Sequence, residues 1–113
     1  MHEVSLAGTI LQLVEQTRER DPFERVIYVR LQAGALAGVE RSALRFALEA
    51  LAPGTLLEGA QIDIDELVGT AWCVHCCASV PIVSRLDLCP LCQGTHLQVT
   101  GGTDLKLVDM RVV

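Results

Sequence analysis

The chain is poor in aromatic residues. Phe23, Tyr28, Phe46 and Trp72 are the only ones among 113. With half the residues apolar, a core is expected, built mainly from Leu, Val, Ile and Ala. Basic residues are also scarce: nine against 14 acidic, for a net charge of −5. A surface of that sign disfavours phosphate backbones, so nucleic acid is not an expected partner. No apolar run approaches the length needed to cross a bilayer, so no membrane association is expected. No targeting segment precedes the cysteines, which points to reduced thiols and a cytoplasmic location. No cluster of nucleophile, base and acid stands out, so an enzyme is not expected.

What is present is concentrated between residues 73 and 92. This stretch reads Cys73-Val-His-Cys76, then twelve residues, then Cys89-Pro-Leu-Cys92. Each CxxC pair forms a tight turn whose N–H groups point at sulfur. Two facing turns supply four thiolates in a tetrahedron, the closed geometry of structural zinc. Soft thiolates select zinc or iron over hard cations. Two disulfides would require an oxidising compartment. A dithiol redox pair would need only one CxxC. The fifth cysteine, Cys77, follows Cys76 directly and points away from the same turn. It is expected to be a small half-buried residue, not a ligand. His75 and His96 are expected to be exposed neighbours.

The rest of the chain patterns as alternating helices and strands. Leu6, Ala7, Ile10, Leu11 and Val14 have helical spacing, which predicts a first helix from Val4 to the Asp21-Pro22 stop. Residues 25–32 alternate as a strand, with Ile27, Val29 and Leu31 on one face. Val39 to Leu51 is predicted as a second helix burying Leu44, Ala47, Leu48 and Leu51, stopped by Ala52-Pro53-Gly54. A second strand follows over 60–67, Ile62 and Ile64 inward, Asp63 and Asp65 on a solvated face. Short strands are predicted at 80–83 and 97–100, a hinge at Gly101-Gly102, and a last strand over 105–112. The expected fold is α+β. Two helices pack on a small mixed three-stranded sheet, and a zinc-ribbon-like module is inserted between strands. Residues 1–69 with strand 103–113 would form one domain, and 70–102 the zinc-binding module.

The amino terminus, Met1-His2-Glu3, offers a second metal site. The Met1 amine, the deprotonated amide nitrogen and imidazole of His2, and the amide nitrogen of Glu3 make a planar nitrogen set. Such a set suits nickel(II) or copper(II) better than zinc. A histidine at a fraying terminus and an acid in a first helical turn also have plain structural roles.

Taken together, these residues resemble the HypA/HybF nickel metallochaperones. The resemblance rests on Met1-His2-Glu3 followed by Ser5-Leu6-Ala7, and on Val29-Arg30-Leu31 leading to Gly34. It rests further on Ala47-Leu48-Glu49-Ala50-Leu51, Gly54-Thr55, and the two cysteine pairs. Trp72 and Cys77 depart from the family's pattern. The resemblance implies transferable Ni(II) at His2, with the Met1 amine and the backbone of Glu3. It implies structural Zn(II) at Cys73, Cys76, Cys89 and Cys92. The implied role is delivery of nickel for maturation of nickel-iron hydrogenase, and some members also serve urease. The implied partners are a HypB-like GTPase and the hydrogenase large subunit, with the chain a monomer or weak dimer. Glu15 and Glu19, exposed on the first helix, are candidate partner contacts. The rivals are a zinc-ribbon protein–protein adaptor without nickel and a dithiol oxidoreductase.

Overall fold

A computed structural model describes residues 2–113. Its elements are α1 (His2–Arg20), β1 (Val26–Gly34), α2 (Arg41–Leu51), β2 (Gln61–Leu67), β3 (Gly69–Cys73), β4 (Ala78–Ile82), β5 (Leu97–Gly101) and β6 (Leu105–Val112). Two three-stranded sheets form, with strand orders β2-β1-β6 and β4-β3-β5. The fold is α+β, two helices with small sheets, as the residue pattern predicts.

The chain divides into two compact units. One holds residues 2–31, 40–65 and 106–113; the other holds 32–39 and 66–105. The chain therefore passes between the units four times.

In the first unit, α1 buries Ala7, Ile10 and Val14, three members of the predicted stripe. It begins two residues earlier than the stripe suggests and takes in His2 and Glu3. The Glu3 carboxylate accepts from the Glu40 N–H at 3.2 Å, which ties this first turn to the start of α2. α2 buries Leu44, Ala47 and Leu48 and packs against α1. It starts at Arg41 rather than Val39 because Glu40 is its cap, in extended backbone. The Glu40 carboxylate accepts from the Ser42 and Ala43 N–H groups at 3.2 and 2.8 Å. These are donors that have no acceptor within the helix. Gly54 takes a left-handed φ of 77° just past the helix end.

Hydrogen bonds at both ends of β1 fix the sheet's directions. The Val26 N–H donates to the Leu56 carbonyl and the Ala35 N–H to the Leu67 carbonyl, so β2 runs parallel to β1. Arg25 exchanges bonds with Val113, and the Gly34 N–H donates to Asp104, so β6 runs antiparallel. The sheet is therefore mixed, with α2 as the β1-to-β2 crossover. Val29, Leu31 and Ala33 are buried on one face, but Ile27 is 41% exposed at the strand's start. The opposite face differs from expectation. Asp63 accepts from the Tyr28 hydroxyl at 2.8 Å, Asp65 pairs with Arg30 at 3.3 Å, and Arg111 stacks over the Tyr28 ring. The acids of β2 are thus partnered across the strands by side chains of β1.

The second unit contains a strand that the sequence pattern misses. β3 is the central strand of its sheet, antiparallel to both β4 and β5. Its five residues, Gly-Thr-Ala-Trp-Cys, carry only a short alternation, Ala71 and Cys73 inward, Thr70 and Trp72 outward. Gly102, of the pair expected to give a hinge, is a site of close packing, and so are Gly34 and Gly69. A Cβ built on Gly102 would lie 2.6 Å from the Gly69 Cα. One built on Gly34 would fall inside the van der Waals shell of the Gly102 carbonyl. One on Gly69 would meet the Ile82 carbonyl and the Leu36 side chain at 2.7 Å. Three chain passages meet where no side chain fits; only Gly102 also needs its left-handed φ of 78°.

This packing predicts opposite outcomes for two glycine-to-alanine changes. Gly34→Ala overpacks backbone that cannot yield, and is expected to destabilise by roughly 1–3 kcal/mol or more. Gly8 lies inside α1 with nothing within 4 Å of an added Cβ. Gly8→Ala is expected to stabilise by about 0.5–1 kcal/mol through helix propensity. Urea unfolding of the two variants beside the parent checks both signs.

Candidate metal centre

The four cysteines singled out by their spacing come together. Cys73 ends β3, Cys76 follows in the turn to β4, and Cys89 and Cys92 sit in the segment between β4 and β5. Their sulfurs all lie within 4.8 Å of one another. The Cys73–Cys92 sulfurs are 3.7 Å apart and the Cys76–Cys89 sulfurs 3.9 Å. Sulfurs held about 2.3 Å from a central zinc form a tetrahedron with edges of about 3.8 Å. The residues therefore fit a tetrahedral, zinc-sized ion, with no room for a fifth protein ligand.

Both turns donate backbone hydrogen bonds to sulfur. The Cys76 N–H donates to Cys73 Sγ and the Leu91 N–H to Cys89 Sγ, each at 3.4 Å. The turns share a second feature. The residue after each closing cysteine has a left-handed backbone: Cys77 at φ 52° and Gln93 at φ 61°. Such a residue reverses the chain sharply just past each cysteine pair. The same reversal turns Cys77 outward. Its sulfur donates to the Val74 carbonyl at 3.6 Å, and the residue is exposed, not half-buried as its size suggested. It is not one of the four clustered ligands. His75 and His96 are exposed and also outside the cluster; the backbone carbonyl of His96 accepts from the Val74 N–H at 3.0 Å.

The thiols perturb one another. The Cys92 and Leu91 N–H groups draw the Cys89 thiol down to about 7. Hydrogen bonding to Cys92, together with burial and the other two thiols, pushes Cys76 up to about 12. One ionised sulfur is favoured and further ionisation opposed, since like charges this close repel. A divalent cation held by these four cysteines would invert that balance and favour their thiolate forms.

Sequence reasoning missed one residue of the site's support. Leu36, from the loop after β1, is buried with Ala71, Cys73, Val80, Ile82 and Cys89. Cys76, Cys92 and Leu97 pack against this cluster. The thiols are thus part of a small core. The only signal for Leu36 was an apolar residue between Gly34 and Gly38.

The other predicted site divides. Met1, with its amine, lies outside the described residues. His2 is in the first turn of α1, its side chain 58% exposed, with Nδ1 3.8 Å from the Glu3 carboxylate. The Glu40 N–H is the main cause that lowers the Glu3 carboxyl from its usual range, with smaller contributions from its own backbone and from His2. Glu3 is therefore ionised at neutral pH.

Cys76→Ser is expected to lose bound metal and to disorder residues 72–100, while helical circular dichroism from α1 and α2 persists. Strong chelation should do the same. Cys77→Gly should leave metal content unchanged and raise stability by about 1 kcal/mol, because its φ suits glycine. Metal analysis and thermal melts of both variants provide the check.

Comparison with known proteins agrees with this geometry. Residues 1–112 match the family model described as hydrogenase/urease nickel incorporation, metallochaperone, hypA. The hydrogenase maturation factor HypA of Polaromonas naphthalenivorans is 53% identical over 99% of this chain and 97% of its own length. That of Cupriavidus necator is 55% identical, over 99% and 94% respectively. The solution structure of the Ni metallochaperone HypA from Helicobacter pylori superposes with a TM-score of 0.70 at 18% identity. It covers 98% of this chain and 97% of that one, a likeness of fold. A match that runs from the His2 tripeptide through both cysteine pairs to the last strand makes this chain a member of the HypA family of nickel-incorporation metallochaperones, which are maturation factors and not enzymes.

Proposed function

We propose that this protein carries Ni(II) on its N-terminal tripeptide and hands it on for maturation of nickel-iron hydrogenase. The Cys73, Cys76, Cys89 and Cys92 site would hold Zn(II) as a structural ion. The observation that carries this reading is the exposed imidazole of His2 in the first turn of α1. The first N–H groups of a helix have no acceptor four residues back. The His2 and Glu3 amides can therefore lose their protons to a metal without breaking a helical hydrogen bond. Nickel bound to the Met1 amine, two such amide nitrogens and the imidazole forms a planar set. Two deprotonated amides balance the charge of Ni(II), so the positive end of the helix macrodipole does not oppose the bound cargo.

The two sites suit opposite tasks. Four thiolates, two of them buried, close a site against exchange. A nitrogen set at an exposed terminus is open on both faces of its plane, so an incoming acceptor ligand can attach before a protein nitrogen leaves. Transfer then proceeds without release of free nickel. The natural recipients are a HypB-like GTPase and the hydrogenase large subunit, in the cytoplasm where thiols stay reduced. Residues 1–69 with 103–113 would form the nickel-binding domain and 70–102 the zinc module.

Nickel affinity is expected to depend on the native start and to fall with acid. The amine, both amides and the imidazole must lose protons to ligate, so lowering pH opposes binding and binding releases protons. His2→Ala, and separately an N-terminal extension that turns the Met1 amine into an amide, should each abolish tight nickel uptake and leave zinc content unchanged. Calorimetric nickel titrations at several pH values compare the three proteins. Equal tight binding by all three would move the site elsewhere, with His75 or His96 the next candidates.

A further inference from the structure

Beside His2 lies a groove that the cargo chemistry does not use. Its volume is about 560 Å³, and Glu3, Val4, Ala43, Phe46, Ala50 and Leu51 are among its walls. All of these residues belong to one compact unit. Phe46 is 73% exposed on an ordered helix, and Val4 is 51% exposed on the facing one. A large aromatic gains from burial, and Phe46 in water forgoes that gain. The floor along α2 is low. Ala43, Ala47 and Ala50 follow one another at helical spacing and leave room for another backbone to approach.

The groove also has a charged end. Its lining includes the carboxylates of Glu3 and Glu40 and no lysine, arginine or histidine. Both carboxyls are lowered from the usual range, Glu40 chiefly by the Ser42 hydroxyl and Glu3 chiefly by the Glu40 N–H. They meet at the N-terminal end of α2, whereas Leu51 marks the other end. The trough is therefore apolar and small-residued along its length and anionic at the end next to His2.

From this geometry we infer that the groove receives an amphipathic helix of a partner protein, bearing a lysine or arginine in its last turn. This deepens the metallochaperone reading, on which it rests, by naming the chemistry of the partner that meets the nickel site. The apolar seam of the incoming helix covers Phe46 and Val4 and descends onto the alanines. Its basic last turn lies against Glu3 and Glu40. That fixes direction as well as composition. A cation in the last turn offsets the negative end of the partner's own dipole, which would otherwise repel these carboxylates, and pairs with them. The partner helix thus runs antiparallel to α2. α2 is 11 residues and so about 16 Å long, which accommodates about three turns of a partner. Its C-terminal end is brought next to His2, where a donor or acceptor ligand is needed.

The test uses the full chain with its native start, metal-replete at the cysteines and free of nickel. The probes are two synthetic peptides of about 16 residues, long enough to hold a helix. Both carry one leucine seam on an alanine background; one has lysines in its last turn, the other glutamates there. Amide chemical shifts are followed by NMR during titration. The proposal expects the lysine peptide to bind and to move Val4, Ala43, Phe46 and Ala50. The glutamate peptide should bind at least about tenfold more weakly, and salt should narrow the difference. Phe46→Glu, at an exposed position that keeps the fold, should weaken the lysine peptide by a similar factor and leave nickel stoichiometry unchanged. Equal affinity for both peptides, no binding, or shifts confined to residues 66–105 overturns the proposal. So does concentration-dependent movement of the groove residues without peptide, which would make the occupant a second copy. The expected peptide behaviour in a protein that fails to take nickel at His2 supports the docking site and removes the nickel reading alone.

Discussion

Four thiols within 4.8 Å of one another cannot all ionise unless a cation sits among them. That constraint governs the second compact unit. Its buried cluster is small, and two of its six members are the clustered cysteines Cys73 and Cys89. A metal held by these thiols would therefore also complete that core. β3 reaches the cluster through Ala71 and Cys73, and the loop after β1 reaches it through Leu36. The left-handed residues Cys77 and Gln93 carry backbone strain where the chain reverses just past each cysteine pair.

The first unit depends on a different balance. Its core is aliphatic, from Ala7, Ile10 and Val14 of α1, Leu44 and Leu48 of α2, and Val29, Leu31, Ile62 and Ile64 of the sheet. None of it requires metal. The polar devices lie at the edges of that core. Glu40 caps α2, Glu3 reaches the Glu40 N–H, and the Arg45 guanidinium donates to the Ile62 carbonyl. Glu3 thereby holds the first turn of α1, and His2 with it, at the start of α2. The His2 side chain is thereby carried on a tethered turn while staying open to solvent.

Much of this could be read from the residues. The helical stripes, the alternation of β2 and the β6 boundaries are strong periodic signals, and four thiols at CxxC spacing have few uses. What escaped has physical causes. β3 is five residues long with glycine first and a cysteine last, too short for alternation to register. The partners of Asp63 and Asp65 depend on the pairing of β1 with β2, which no local pattern reveals. Gly34, Gly69 and Gly102 suggest freedom in the sequence, but in space they mark where backbones touch. The groove beside Glu3 is formed by side chains some forty positions apart, so composition gives no hint of it.

The account assigns two metals to two chemically distinct sites in one chain. X-ray absorption at the zinc and nickel edges of one sample, loaded with both metals and carrying its native N-terminus, tests that division directly. The account predicts a zinc spectrum of four sulfurs at about 2.3 Å, and a nickel spectrum of planar nitrogen ligands, imidazole among them, with no sulfur. Sulfur in the nickel shell, or nickel displacing zinc from the thiolates, would contradict it.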